Sequence, residues 1–369
     1  MIIKDIQCIR IRTPYHYDVN YQNIDNDNYN AAKFKSHELE SLIIKITTDN
    51  GLIGWGEAFG HACNSATLII INKLLIPFFQ NKNCDNHLEL MKQANYAFHS
   101  YGRGGTLFYA LSAFDIALWD IAAKRENVPL YKLMGGKQNN VRLYPSLPCY
   151  DGNVAIIKQQ LNKLYHQGYR YIKLHETDVD SIITLKHVLP SDLEIMVDVN
   201  CAYSDENALT LLTRLKQENI YFIEEPIFPP ESWSKLAELK HKSGIDIAVG
   251  ENVNNLNEFE NIINHNSANI LQPSVCKIGG ITPILKLIEL TKNKLDIQIL
   301  PHCYFYGPGM LATAHIVACL GQKCLLEVPY LMFEQHLYPI LDYKPNFQLP
   351  YSAGLGFEPN DQILQNYSL

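Results

Sequence analysis

Apolar and polar positions alternate through the N-terminal MIIKDIQCIRIRTP, which is the period of a half-buried strand and not of a helix. Two more strand-like runs follow before residue 60. A polar stretch at 15–30, rich in Tyr, Asn and Asp, separates them from the first and reads as a long loop of the kind compact domains keep for function. Over residues 65–125 the period changes. Apolar residues recur three and four apart, most clearly in LFYALSAFDIALWDIAAKRENVP, where Pro129 blocks further helix. Strands followed by helices predict an α+β domain that caps something else.

From Val141 the texture becomes short apolar runs alternating with amphipathic helices: VRLYPS, YIKLH, LEIMVDVN, IYFIEEP, IDIAVGEN, NILQPSV, IQILPH and CLLEVP. Eight such units predict a parallel sheet closed into a (β/α)₈ barrel. A doubly wound sheet needs fewer repeats and usually a Gly-rich first turn. The cluster Gly102, Arg103, Gly104 and Gly105 reads as a plain loop instead, because no strand–turn–helix context surrounds it. The predicted organisation is a cap at 1–128, a barrel at 129–328, and a segment at 329–369 that packs back on the cap and completes it.

Composition narrows the partners. The 369 residues are 47% apolar, ample for a core. A formal charge of −7 and a pI near 6.0 offer no basic face to nucleic acid or anionic lipid, which leaves a small molecule as the expected partner. Asp5, Arg10 and Arg12 interrupt any apolar signal segment, so a cytoplasmic location is expected. The greasiest stretch, residues 68–79, contains Asn72, Lys73 and Pro77 and is too short to span a bilayer. Nine cysteines without a Cys-x-x-Cys pair fit reduced thiols, and Cys201 and Cys303 read as small hydrophobes.

In parallel barrels the active site lies at the C-terminal strand ends. Read in order, these are Lys173 and His175, Asp198 and Asn200, Glu224, Glu251, Ser274, His302 and Glu327. One acid alone reads as a helix cap. Asp198, Glu224 and Glu251, at intervals of 26 and 27 residues, arrive one per βα unit. Three carboxylates without Cys or His suit Mg²⁺ better than zinc. Alternation along the strand selects Glu224 over Glu225. Lys173 and His175, two apart, project the same way. Beside each other and near a dication, both are expected to have lowered pKa values and to act as bases. His302 approaches from the opposite side of the mouth.

These residues, together with ALSAFDIALWDIAAK, the following VPLYKLMGG and the KIGG at 277–280, make the whole chain resemble the enolase superfamily, in particular its mandelate racemase-like subgroup. The resemblance implies an α/β fold, a modified TIM (β/α)7–8 barrel beneath an α+β capping domain, with loops near 15–30 and 54–60 closing over substrate. It implies a common first step, in which magnesium binds the substrate carboxylate and a base removes the α-proton to give an enediolate. Carried over by position, Asp198, Glu224 and Glu251 are metal ligands, and Lys173 with His175 is the base pair. His302 is the base or acid on the other face, Glu327 is a hydrogen-bond partner to substrate, and the partner state is a homo-oligomer.

Two departures stand out. The second strand carries Lys-x-His where Lys-x-Lys is frequent. Ser274 occupies the place of the Asp that orients the seventh-strand His, and serine cannot stabilise an imidazolium by charge. That asymmetry favours dehydration of an acid sugar to a 2-keto-3-deoxy product, with one base and one acid, over racemisation or epimerisation, which needs a carrier on each face. A catalytically silent metal-binding barrel is the remaining alternative. For substrate contacts the sequence offers Asn200, Ser274 and Lys277 near the strand ends, Tyr15, His16, Tyr17 and Tyr21 in the first loop, Trp55 in the second, and Arg103 if its loop folds over the mouth.

Overall fold

A computed structural model describes residues 1–19, 37–321, 324–338 and 344–369. Two sheets organise it. The first is antiparallel, in the order β12-β1-β2-β3, built from β1 (Ile3–His16), β2 (Glu38–Thr48), β3 (Ile53–Ala58) and β12 (Met332–Phe333). The second runs β10-β9-β8-β7-β6-β5-β4-β11. Its strands are β4 (Asn140–Ser146), β5 (Tyr171–Leu174), β6 (Glu194–Asp198), β7 (Phe222–Glu224), β8 (Ile247–Val249), β9 (Ile270–Leu271), β10 (Gln298–Ile299) and β11 (Leu325–Pro329). Every ladder along this path is parallel, and the eight strands coincide with the eight apolar runs. The chain therefore forms a TIM-like barrel with a cap, and its seam lies between β10 and β11.

The cap is tied to the barrel through the helix Gly105–Arg125. This helix is apolar on all sides because it is buried on all sides, with β3 against one face and the barrel helix Ile281–Thr291 against another. Gly56 permits the first contact: a Cβ there would lie 1.9 Å from the Ala113 carbonyl. The segment after β11 divides. β12 joins β1 of the cap, while β13 (Asn346–Gln348) pairs with β4 of the barrel.

Three expectations change at this level. Residues 15–16 end β1, so the long loop starts later, and Tyr21 lies outside the described residues. Trp55 is inside β3 and not in a loop. The apolar run at 68–79 belongs to a continuous helical stretch, His61–Phe79, whose 19 residues reach membrane-spanning length; it is laid along the cap, with Phe79 stacked on Phe114 at 4.5 Å. Gly105–Arg125 passes the same test of length and hydropathy and is 89% buried within the protein, as a core helix is.

Candidate active site

The strand ends bring the acids together. Asp198 and Glu224 are paired in register as the last residues of β6 and β7, and Glu251 lies two residues past β8. One oxygen from each lies within 4.8 Å of the others. Gly250 makes the third approach possible. Its φ is 140°, and a Cβ would fall 2.8 Å from the Gln272 nitrogen, so the chain can turn Glu251 inward there only as glycine. After β6, Asn200 and Cys201 take positive φ, and the Asn200 N–H donates to Asp198 Oδ1 at 3.0 Å, a local clamp on that carboxylate.

Lys173 lies at the centre. Its ammonium, 1% exposed, donates to Glu224 Oε2 at 2.9 Å and Asp198 Oδ2 at 3.3 Å and pairs with Glu327 Oε1 at 2.6 Å. Burial pulls its pKa down, but Glu224, Glu327 and Asp198 outweigh burial and hold it well above the ordinary lysine value. The lowered value expected from sequence is thus reversed, because three carboxylates surround it. His175 is reversed likewise: burial lowers it, and the contact of Nε2 with Asp198 Oδ2 at 3.3 Å raises it further. Its Nδ1 lies 2.6 Å from the Leu147 carbonyl, which can only accept, so Nδ1 carries a hydrogen and the neutral ring keeps its lone pair on Nε2, toward the cluster.

His302 reaches the other flank, with Nε2 3.1 Å from Glu251 Oε2. Among the described residues its Nδ1 is buried without a hydrogen-bond partner, and so is Ser274 Oγ, so serine does not stand in for the expected Asp; the ring is held by Glu251 at Nε2 and by the edge of Phe305 at 6.0 Å. Burial pushes Glu251 up, but Lys277 and His302 keep it well below the usual carboxylate range. Glu327 is fixed between Lys173 and the Cys303 N–H, which donates at 3.1 Å. Glu225 turns away with φ 40° and accepts from Asn252 Nδ2 at 2.8 Å; burial, then Glu251 and Asp198, push it up to about 8. The thiols of Cys201 and Cys303 are pushed upward by burial, as inert small side chains are.

Other candidates go elsewhere. Tyr15 is buried between Tyr17 and Phe333, both edge-on at 5.7 and 5.8 Å, as part of the cap sheet. Trp55 is buried and donates from Nε1 to Glu358 Oε2 at 2.5 Å, which makes it a structural tie. Arg103 is exposed over the Phe108 ring at 5.9 Å and, among the described residues, makes no ion pair with the cluster. Lys277 lies over the Phe59 ring at 4.3 Å, and its charge acts on Glu251. Sequence reasoning passed over Gln272, whose Nε2 donates to Glu224 Oε2 at 2.7 Å; its place one residue past β9 was the available signal.

The set fits a hard dication. It offers three convergent carboxylates without sulfur or imidazole among them, and Glu224 Oε1 is buried with no hydrogen-bond partner among the described residues. Burial, and then Asp198, push Glu224 well above the carboxylate range, the sign of too little positive charge at this point.

Comparison with known proteins agrees with this geometry. The model described as the enolase C-terminal domain-like family matches residues 157–363, more than half of the chain, and the mandelate racemase / muconate lactonizing enzyme N-terminal domain matches residues 27–135. Arabinonate dehydratase of Saccharolobus solfataricus is 27% identical over 99% of both chains. 3,6-Anhydro-alpha-L-galactonate cycloisomerase of Streptomyces coelicolor is 28% identical over 83% of each. The crystal structure of 3,6-anhydro-D-galactonate cycloisomerase from Zobellia galactanivorans superposes with a TM-score of 0.83 at 25% identity, covering both chains in full. With the barrel, the cap and the three strand-end carboxylates in place, the chain belongs to the enolase superfamily, in its mandelate racemase / muconate lactonizing enzyme branch.

Proposed function

We propose that this protein is a magnesium-dependent acid sugar dehydratase that removes the α-proton of a hydroxy-carboxylate and then its β-hydroxyl, giving a 2-keto-3-deoxy acid and water. The observation that carries the proposal is one carboxylate cluster flanked by two imidazoles from opposite sides, His175 Nε2 at Asp198 and His302 Nε2 at Glu251. Asp198, Glu224 and Glu251 would hold the metal, which when bound supplies positive charge against the negative charge that develops on the substrate carboxylate.

The remaining roles fall to the chain. His175 takes the α-proton, since the Leu147 carbonyl fixes its other nitrogen as the N–H and leaves the lone pair facing the site. Lys173, caged and without solvent access, orients the carboxylates as a fixed ammonium. His302 holds a hydrogen on Nε2 against Glu251 and delivers a proton to the departing β-hydroxyl. The enol left behind takes a proton at C3 from the protonated His175 and gives up its hydroxyl proton, which returns through solvent to His302, as it becomes the ketone. Relatives named arabinonate, L-talarate/galactarate and D-galactonate dehydratase, 26–28% identical, support this outcome.

Isomerisation is the second reading, favoured by the relatives named cycloisomerases and by the presence of an imidazole on each flank. Incubation with Mg²⁺ and a panel of acid sugars separates the two: a 2-keto-3-deoxy product is expected, whereas an isomer formed without loss of water supports the second reading. Magnesium binding with neither product from any acid overturns both and leaves a silent barrel. A homo-oligomer in the cytoplasm belongs to the same reading on family resemblance, and light scattering tests the first part.

A further inference from the structure

We infer that Gln272 is a positioning residue that confines Glu224 to a single metal-binding oxygen and so selects Mg²⁺ over Ca²⁺ at the carboxylate cluster. The inference rests on the magnesium reading above and adds how one side chain beside the cluster sets the choice of ion.

The three carboxylates are not supplied with donors alike. Asp198 has one donor on each oxygen, the Asn200 N–H at Oδ1 and the Lys173 ammonium at Oδ2, 3.0 and 3.3 Å away. Glu251 likewise has Asn252 Nδ2 at Oε1 and His302 Nε2 at Oε2, 3.0 and 3.1 Å away. At Glu224 both donors fall on one oxygen. Lys173 Nζ and Gln272 Nε2 reach Oε2 at 2.9 and 2.7 Å, while Oε1 is buried with no hydrogen-bond partner among the described residues. A carboxylate oxygen has two lone pairs, so Oε2 is filled and Oε1 keeps both for a cation. Lys173 alone would not achieve this. Its ammonium is shared among Glu224, Asp198 and Glu327, and the second lone pair of Oε2 is covered by Gln272.

Gln272 is fixed in place for that contact. It is fully buried one residue past β9, and its N–H donates to the Val249 carbonyl at 2.9 Å, which extends the ladder between β8 and β9. The same nitrogen lies where a Cβ on Gly250 would fall 2.8 Å away, so the backbone that lets Glu251 turn inward abuts the residue that holds Glu224. The far end of the amide gains nothing: Oε1 of Gln272 is buried without a hydrogen-bond partner among the described residues. Turning the amide over would set an acceptor against a carboxylate, so Nε2 is the end that faces Glu224. A buried acceptor left unpaired costs stability, and an apolar side chain of the same length would avoid that cost. It would also release Oε2.

That release matters because the two ions differ in what they accept. Mg²⁺ demands near-ideal octahedral geometry with short bonds, whereas Ca²⁺ takes more oxygens in a looser shell and accepts both oxygens of one carboxylate. Glu224 limited to Oε1 suits the first ion. Glu224 with Oε2 released can offer both oxygens and suits the second.

The test is calorimetric titration of the whole protein with Mg²⁺ and, separately, with Ca²⁺, in wild type, Gln272→Met and Gln272→Asn, each checked for folding by circular dichroism. The asparagine amide is one carbon too short to reach Glu224, so both variants remove the donor by different means. Wild type is expected to bind Mg²⁺ more tightly than Ca²⁺. In both variants the ratio of the two affinities should shift toward Ca²⁺ by about 10- to 100-fold, the scale on which partners of metal ligands act. A wild type that prefers Ca²⁺ overturns the inference, and so does a ratio unchanged in the folded variants, whether both affinities hold or fall together. Wild type that binds neither ion overturns the magnesium reading itself. No substrate enters the titration, so its outcome is independent of whether the acid is dehydrated or isomerised.

Discussion

Two regions of this protein bury carboxylates, and they treat them in opposite ways. Beneath the cap, each acid has its own donors. Asp115 accepts from the Thr282 N–H and hydroxyl at 2.9 and 2.6 Å, Asp120 from the Leu355 and Trp55 N–H groups at 2.8 and 3.0 Å, and Glu57 from the Gly309 N–H at 2.9 Å. These bonds fasten cap to barrel and C-terminal segment to cap. At the barrel mouth the acids crowd one another, three of them share a single lysine, and Glu224 Oε1 has no hydrogen-bond partner among the described residues. Burial alone therefore does not mark a functional acid. Convergence with too few donors does, because such a set is stable only when a cation joins it.

The contrast is open to direct attack. Removing a ligand should have the largest effect: Asp198→Asn, Glu224→Gln or Glu251→Gln should each lower kcat/KM on the order of 10⁴-fold or more, with weakened Mg²⁺ binding by calorimetry. Chelation should abolish activity reversibly. Next, His175→Gln should cost about 10²- to 10⁴-fold, the usual share of a general base, with Mg²⁺ binding retained.

Beneath the cap the effects fall on stability instead. Burial raises the Glu57 pKa from 4.5 to about 7, so the folded state binds this proton more tightly than the unfolded chain does. Its contribution is then fully present below pH 4.5 and is lost as pH rises through about 7. Urea melts across that range should show Glu57→Gln flattening the slope by up to about 3 kcal/mol, with kcat/KM changed far less than by any ligand substitution. The smallest change expected is Trp55→Phe, which removes the indole bond to Glu358. It should cost about 1–2 kcal/mol by thermal melt and leave substrate preference where it was.

The strand ends were legible because a parallel barrel exposes one position per unit to the mouth, and acids placed there break an otherwise apolar period. Lys173, Asp198, Glu224, Glu251 and His302 could be found that way. What hid the rest was distance along the chain. Trp55 reads as a loop aromatic until its strand and its bond to Glu358 are seen. Lys277 reads as one residue of a loop motif, and nothing local says that its neighbour is Phe59 or that its charge acts on Glu251. The lysine and histidine pKa directions failed for a related reason: neighbours in sequence suggested mutual repulsion, while the fold surrounds Lys173 with acids contributed by β6, β7 and β11.

The central claim is that the two flanks of the carboxylate cluster do different jobs, His175 taking the α-proton and His302 releasing the hydroxyl. Proton NMR in D₂O tests it most directly, following the α-hydrogen and the keto product with a turned-over acid sugar and Mg²⁺, in His302→Gln beside His175→Gln. The account predicts that His302→Gln still exchanges the α-hydrogen but forms little product, and that His175→Gln does neither. Exchange that survives in His175→Gln and vanishes in His302→Gln would contradict it.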